Sequence, residues 1–294
     1  MFLSLRAFVV NIMAHRLFSK FKQKELKMIW EVQKNGKLSH IVGTAHFFPY
    51  SFKNSLQRYL ENARLVMFEG PLDDANMARV RQAGIDNENS YHIFNELDDK
   101  VIAGITSALI PVCQARHSSY LVTICKFDLK DAAYEMVKGM KPWLAFFTLW
   151  SAYLKRLGWK YSVDLEGYQI ATELGKQIVF LETIEEQIKV LQNISHDNLI
   201  FFLNQVDRWK HFAQEYVECY LDGDLEKLKF TRVRFPSRHH SVINERDEIF
   251  YQRMRAELEQ GQVVAFLGAP HLRGMSRLLM ADGYQVQGPW LPPL

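Results

Sequence analysis

Gly43-Thr44-Ala45-His46 and Gly268-Ala269-Pro270-His271 are two versions of one tetrad, each set behind a short aliphatic run, Leu38–Val42 and Val263–Leu267 respectively. A segment of helical character comes after each. The repeated pattern is strand, glycine turn, histidine, helix. Apolar runs of this length alternating with amphipathic segments give helices packed on the faces of a mostly parallel sheet. A histidine at the carboxyl end of a buried strand lies on the edge where open α/β sheets place their ligands. Gly43 and Gly268 allow sharp turns there and let other groups approach the backbone.

Outward from the first tetrad, Met28–Val32 and Leu38–Val42 flank Lys34-Asn35-Gly36-Lys37. Asn-Gly between apolar runs is a strong hairpin signal. Ser51 is placed to cap a helix carrying Phe52, Leu56, Tyr59, Leu60 and Ala63 at helical spacing. The strand Leu65–Phe68 then ends at Glu69-Gly70. Pro71 to about Gly84 reads as a loop and short helix. Asp164 is expected to cap a helix closed by Gly175. The strand Ile178–Leu181 ends at Glu182, and Thr183-Ile184-Glu185-Glu186 opens the next helix as a capping box. A helix or helix pair covers Asp197–Tyr220, and another runs from Ser241 to Gly261. Arg246 and Asp247 fall inside the inward stripe Ile243, Phe250, Met254 and Leu258 of that last helix. An ionic pair there breaks the apolar pattern, which marks either a site or a helix start at the domain rim with both heads in water. The helix Leu272–Ala281 and the strand Tyr284–Val286 close the pattern.

Residues 86–158 read as a mainly helical insertion. Trp143, Phe146, Phe147 and Trp150 form an aromatic stripe in it, at a spacing that suits core. His92 and His117 have no partners at metal-ligand spacing and read as surface or satisfied core histidines. The expected fold is therefore α/β: a mixed, largely parallel central sheet flanked by helices, with two related strand–GxxH–helix–strand units and a helical insertion. One domain spans residues 28–294.

With 48% hydrophobic and 23% charged residues, the composition is that of an ordinary globular protein. A net charge of +3 without a dense basic stripe argues against nucleic acid. Cys113, Cys125 and Cys219 form no CxxC pair, so neither a disulfide framework nor a zinc ribbon is expected, and a reducing, cytoplasmic setting is the simpler reading. No run reaches the roughly 18 apolar residues of a membrane span. Residues 1–27 are apolar and basic, with no acid before Glu25. They read as a basic amphipathic helix making peripheral membrane contact, or as a packed or dispensable extension with the start at Met13 or Met28. A secretion signal would need an uninterrupted apolar stretch, and Asn11 interrupts this one; secretion stays open beside the cytoplasmic and membrane-associated readings.

Four strands thus end in a polar residue: His46, Glu69, Glu182 and His271. If they run parallel, these groups share one edge. Two histidines with one or two carboxylates are a divalent-metal set able to activate water. They are equally sufficient for metal-free general-base hydrolysis, one imidazole taking a proton from water. Both mechanisms stand at this level.

At these residues the chain resembles the TraB/GumN/PrgY family, which includes the TIKI metalloproteases. The resemblance rests on Gly43-Thr44-Ala45-His46, Phe68-Glu69, Gly175-Lys176-Gln177, Phe180-Leu181-Glu182-Thr183 with Glu186-Gln187, Glu245-Arg246-Asp247, and Phe266-Leu267-Gly268-Ala269-Pro270-His271-Leu272 with Gly283-Tyr284. It covers about Met28 to Val286. It implies a domain of the kind shared with erythromycin esterases and haem-binding ChaN proteins, and a metal-dependent hydrolase of peptide or amide bonds. His46, Glu69 and His271 would hold a divalent metal, manganese or cobalt by resemblance and zinc as a further choice, or would hold and activate water. Glu182 would be base or orienter, and Arg246 would bind a substrate carboxylate or an oxyanion. The alternative it carries is a non-catalytic protein that captures a peptide or small molecule to shut down a signal, with Trp143–Trp150 lining the pocket; a haem-binding variant is a third. The chain departs from the family in having no clear secretion signal, no C-terminal membrane spans, and bulky Phe47-Phe48-Pro49 after the first histidine.

Overall fold

Asn35 and Gly36 both take positive φ, 51° and 73°. A two-residue turn of this kind matches the right-handed twist of the strands it joins. It pairs β1 (Ile29–Lys34) antiparallel with β2 (Lys37–Thr44), in the register Lys34↔Lys37 to Ile29↔Val42. The computed structural model of the chain describes residues 23–86, 92–110, 129–225, 227, 235–238 and 240–288. His117 and all but the last few residues of the 1–27 extension lie outside those residues.

The remaining strands are β3 (Leu65–Phe68), β4 (Gln177–Phe180), β5 (Val263–Gly268) and β6 (Gln285–Gln287). They join the hairpin in one sheet of order β4-β3-β5-β2-β1-β6. β4, β3, β5 and β2 are parallel, so their carboxyl ends share one edge, as expected. β3, and β5 up to Leu267, are wholly buried, which suits strands covered on both faces.

The chain leaves β2 and β5 for opposite faces. Phe68, Phe266 and Val42 are in register on one face, where Phe68 and Phe266 stack at 4.7 Å. α6 (Val163–Glu173) lies there because Gly167 carries no side chain: a β-carbon would stand 2.4 Å from Phe266. α1 (Lys53–Glu61), which comes after β2, packs on α6. The opposite face presents Trp30, Val32 and Ile41 to Leu272, Met275 and Leu279 of α11 (Leu272–Ala281), which comes after β5. α10 (His240–Leu258) packs beside α11. Adjacent strands that send the chain to opposite faces leave a crevice above their carboxyl ends. The two strand–helix–strand units resemble each other in this sense, although β6 joins the far edge beside β1 rather than a neighbour of β5.

A second apolar core is helical. α5 (Pro142–Arg156) contributes Trp143, Ala145, Phe146 and Leu149, and the stripe is core, with Trp150 set edge-on to Phe202 and Trp209. α8 (His196–Leu203) and α9 (Trp209–Asp222) supply those partners from beyond residue 158. His92 is a satisfied core histidine: Nδ1 accepts from the Phe94 N–H at 3.2 Å, Nε2 lies 3.2 Å from the Tyr134 carbonyl, and the ring stacks on Tyr134. Among the described residues no helix is long and apolar enough to cross a membrane.

Two expected caps are placed differently. Phe52, not Ser51, is the N-cap of α1, and it makes no side-chain cap bond; the Ser51 hydroxyl instead accepts from the Lys53 N–H. Ser162 caps α6, which leaves Asp164 inside the first turn and buried. The capping box at Thr183 and Glu186 is present at the start of α7 (Ile184–Gln192).

Candidate active site

The loop after β2 is fastened to the entry of α6. Phe48 exchanges backbone hydrogen bonds with Tyr161, and the Val163 N–H donates to the Ala45 carbonyl. Tyr220, buried on α9, donates its hydroxyl to the Gly43 carbonyl. These bonds bring the first turn of α6 beside the first tetrad, and Asp164 Oδ2 meets His46 Nδ1 at 2.6 Å. The Ser162 hydroxyl donates to the other carboxylate oxygen. Burial pushes the Asp164 carboxyl up, but His46 and Ser162 outweigh it and hold the group below its usual range. An ionised Asp164 accepts from Nδ1–H, so proton exchange with anything above the site falls to Nε2. The His46 side chain is 69% exposed.

The second tetrad gives the opposite environment. His271 is 2% exposed and N-caps α11. Its Nδ1 donates to Asp247 Oδ1 at 2.6 Å. Asp247 reaches it only because position 274 is glycine; a β-carbon there would stand 1.7 Å from Asp247 Oδ2. The expected Arg246–Asp247 ion pair is therefore not the arrangement. Successive residues on a helix point about 100° apart, and each finds a separate partner. Of the two tetrad histidines only His271 stands at a helix start, since His46 lies well before α1 begins at Lys53.

The β3–β4 ladder continues past its strands. The Leu181 and Glu182 N–H groups donate to the Phe68 and Glu69 carbonyls, which sets the two glutamates side by side. Arg246 joins them. Its Nε and Nη2 form a fork on Glu182, both at 2.8 Å, Nη2 also donates to Glu69 Oε2 at 3.0 Å, and Nη1 lies 3.2 Å from His271 Nε2. Glu69 Oε1 accepts from the Gly268 N–H at 2.5 Å. Burial raises the Glu69 carboxyl, yet Arg246, His271, the Gly268 N–H and His46 together hold it below its ordinary value. Burial lowers Arg246, and the two glutamates reverse this and lift it above its ordinary value. Glu69 is thus ionised, and both Glu182 oxygens are engaged by the guanidinium. Four of the five guanidinium hydrogens are used in these bonds, which leaves one on Nη1.

Glu69, Glu182, Arg246 and His271 form one network, and His46 adds to the field on Glu69 from the end of β2, across β5. Asp164 and Asp247 complete two Asp–His dyads. Neither stands out as a histidine partner in the sequence, where Asp164 resembles a cap and Asp247 a salt-bridge partner of its neighbour. The available signal is chemical: a histidine fixed at a strand end needs a group to orient its second nitrogen.

A divalent metal is what the resemblance implies for this site. A histidine whose Nδ1 is held by a carboxylate is a common metal ligand, and Glu69 Oε1 lies 3.7 Å from His271 Nε2. The guanidinium decides the matter. An ion bound to both groups would sit about 2 Å from each, directly against Arg246. At a separation of about 3 Å and an effective dielectric constant of about 20, that repulsion is on the order of 10 kcal/mol. Arg246 is also held from behind, by the Glu182 fork and by the Phe250 ring 4.9 Å from its charged carbon. Among the described residues no three His, Cys, Asp or Glu side chains converge as a metal set. As arranged, the residues do not fit an ion held by His46, Glu69 and His271.

Comparison with protein families matches residues 28–288 to the TraB/PrgY/gumN family. The chain belongs to this family. No curated protein and no solved structure matches it. His46, Glu69, Asp164, Glu182, Arg246, Asp247 and His271 all fall within the TraB/PrgY/gumN match.

Proposed function

We propose that the chain is a hydrolase of peptide or amide bonds in which His46 is the general base. The observation that carries this reading is the exposed His46–Asp164 dyad, whose imidazole acts on Glu69, the carboxylate bonded to a largely buried cation that retains one N–H. Asp164 holds His46 in the Nδ1–H tautomer. Nε2 removes a proton from water, the hydroxide oxygen bonds to the substrate carbonyl carbon, and the carbonyl π electrons move onto oxygen. That oxyanion is met by the remaining Nη1 hydrogen of Arg246, an interaction that strengthens as charge develops. When the C–N bond breaks, Nε2–H returns its proton to the leaving amine, and acid and product amine are released. Glu69, Glu182 and His271 are positioning residues that fix the guanidinium.

The test is cleavage of a fluorogenic peptide-amide library by the full chain and by His46→Ala. Turnover that falls at least about 100-fold in the variant supports the reading. No cleavage by the wild type, or equal cleavage by both, sinks it.

A further inference from the structure

We infer that Arg246 is the resident cation of this site, its guanidinium standing where a divalent metal would bridge Glu69 and His271, so that the site takes up no metal unless that charge is removed. The catalytic corollary, turnover insensitive to chelators, rests on the hydrolase reading; the metal-binding statement does not.

Three observations carry it. Arg246 reaches both candidate ligands at once, Nη2 on Glu69 at 3.0 Å and Nη1 at 3.2 Å from His271 Nε2. It is clamped on its other side by two bonds from Glu182 and by the Phe250 face, so it does not vacate the gap when an ion arrives. The groups around it are those an ion would want. Without the guanidinium, the buried Glu182 carboxylate, the partly buried Glu69 carboxylate and an imidazole oriented by Asp247 would face one space. Carboxylate oxygen plus imidazole nitrogen is a donor set for Mn(II), Co(II) or Zn(II). The same cluster that excludes a metal in the native chain is therefore one substitution from accepting it.

The experiment compares the full-length wild type with Arg246→Met and with the double variant Arg246→Met/His271→Ala. Each is dialysed against Mn(II), Co(II) or Zn(II), desalted, and its metal content per chain measured by mass spectrometry, with folding followed by circular dichroism. The expected result is no stoichiometric metal in the wild type, about one equivalent in Arg246→Met, and loss of that equivalent in the double variant. Wild-type protein that retains about one equivalent, released by His271→Ala, overturns the inference. So does a folded Arg246→Met that binds none. Should Arg246→Met fail to fold, Arg246→Gln, which keeps donors for Glu182, replaces it, and the wild-type titration is decisive by itself. With a cleavable peptide in hand, wild-type activity is expected to stay within about twofold in excess EDTA. If no peptide is cleaved, the hydrolase reading fails while the metal result stands.

Discussion

Asp164→Asn isolates the orientation of His46 from its presence. The carboxamide has the shape of the carboxylate, and the Ser162 hydroxyl can still donate to its oxygen. Its NH2 group then faces His46 Nδ1 across the 2.6 Å contact. Two donors cannot share that contact, so the imidazole shifts its proton to Nε2, where it can no longer accept one from water. General-base assistance is worth about 100- to 10,000-fold, and the expected loss in kcat/KM is about 1,000-fold, equivalent to about 4 kcal/mol of transition-state stabilisation. Some stability should be lost near neutral pH, because the carboxylate is held below its usual range in the folded chain and its favourable contacts outweigh its burial. Two measurements check it. The fluorogenic peptide assay gives the rate, and long-range 15N–1H correlation of His46 gives the tautomer without any substrate. Because Asp164 acts only through His46, Asp164→Asn/His46→Ala should be no slower than His46→Ala alone. Asp164→Asn activity within about threefold of wild type, with the proton still on Nδ1, would refute the reasoning.

Gly274→Ala would ordinarily strengthen α11 by up to about 1 kcal/mol; here the new methyl meets the pinned Asp247 carboxylate, and a net loss of about 1–3 kcal/mol in denaturant melts is expected. Glu186 is depressed to about 2 by Arg253 and the Thr183 N–H, so its contribution is present above the unfolded value near about 4.3 and lost as pH falls towards about 2. That depression would be worth about 3 kcal/mol in a buried pair, and 40% exposure of both side chains cuts it to about 1 kcal/mol. Glu186→Gln should therefore cost about 1 kcal/mol at pH 7 and almost nothing at pH 2, as read from urea midpoints at the two pH values. Tyr220→Phe leaves the buried Gly43 carbonyl without its donor and should cost about 1–3 kcal/mol, read as a fall in Tm; an unchanged Tm would mean that the first tetrad does not need that bond.

The paired tetrads, the Asn35-Gly36 hairpin and the capping box at Thr183 were legible in the sequence because each depends on local backbone chemistry. The shared edge of β2, β3, β4 and β5 was also legible, since alternating strands and helices leave few other sheets. Partner choice was not. Asp164 has the spacing of a cap, and only the Phe48–Tyr161 and Ala45–Val163 backbone bonds decide that it faces His46 instead. Asp247 sits next to Arg246 in sequence, and the pair separates because their helix turns between them, one towards β3 and β4 and the other towards α11. The helical core drew on Leu199, Phe202 and Trp209 for a similar reason: apolar periodicity tells which face of a helix is buried but not which helix buries it.

The residues flanking each histidine explain why two copies of one motif differ in chemistry. Pro270 fixes its φ near the helical value, and the single turn Ala269–His271 runs straight into α11. His271 is thereby drawn under α10, where Asp247 and Arg246 take both ring nitrogens. The first copy has Ala45 in place of the proline and continues into Phe47 and Phe48. Phe48 packs inward against Phe52, Trp159 and Tyr220 and pins the loop to residue 161, and that anchor turns His46 outward. The His46 imidazole is 69% exposed to solvent, whereas that of His271 is 2% exposed and has both ring nitrogens in contact, one with a carboxylate and one with a guanidinium. On the hydrolase reading, the duplicated histidines would divide the work: His46 would move protons, and His271 would keep the arginine in place.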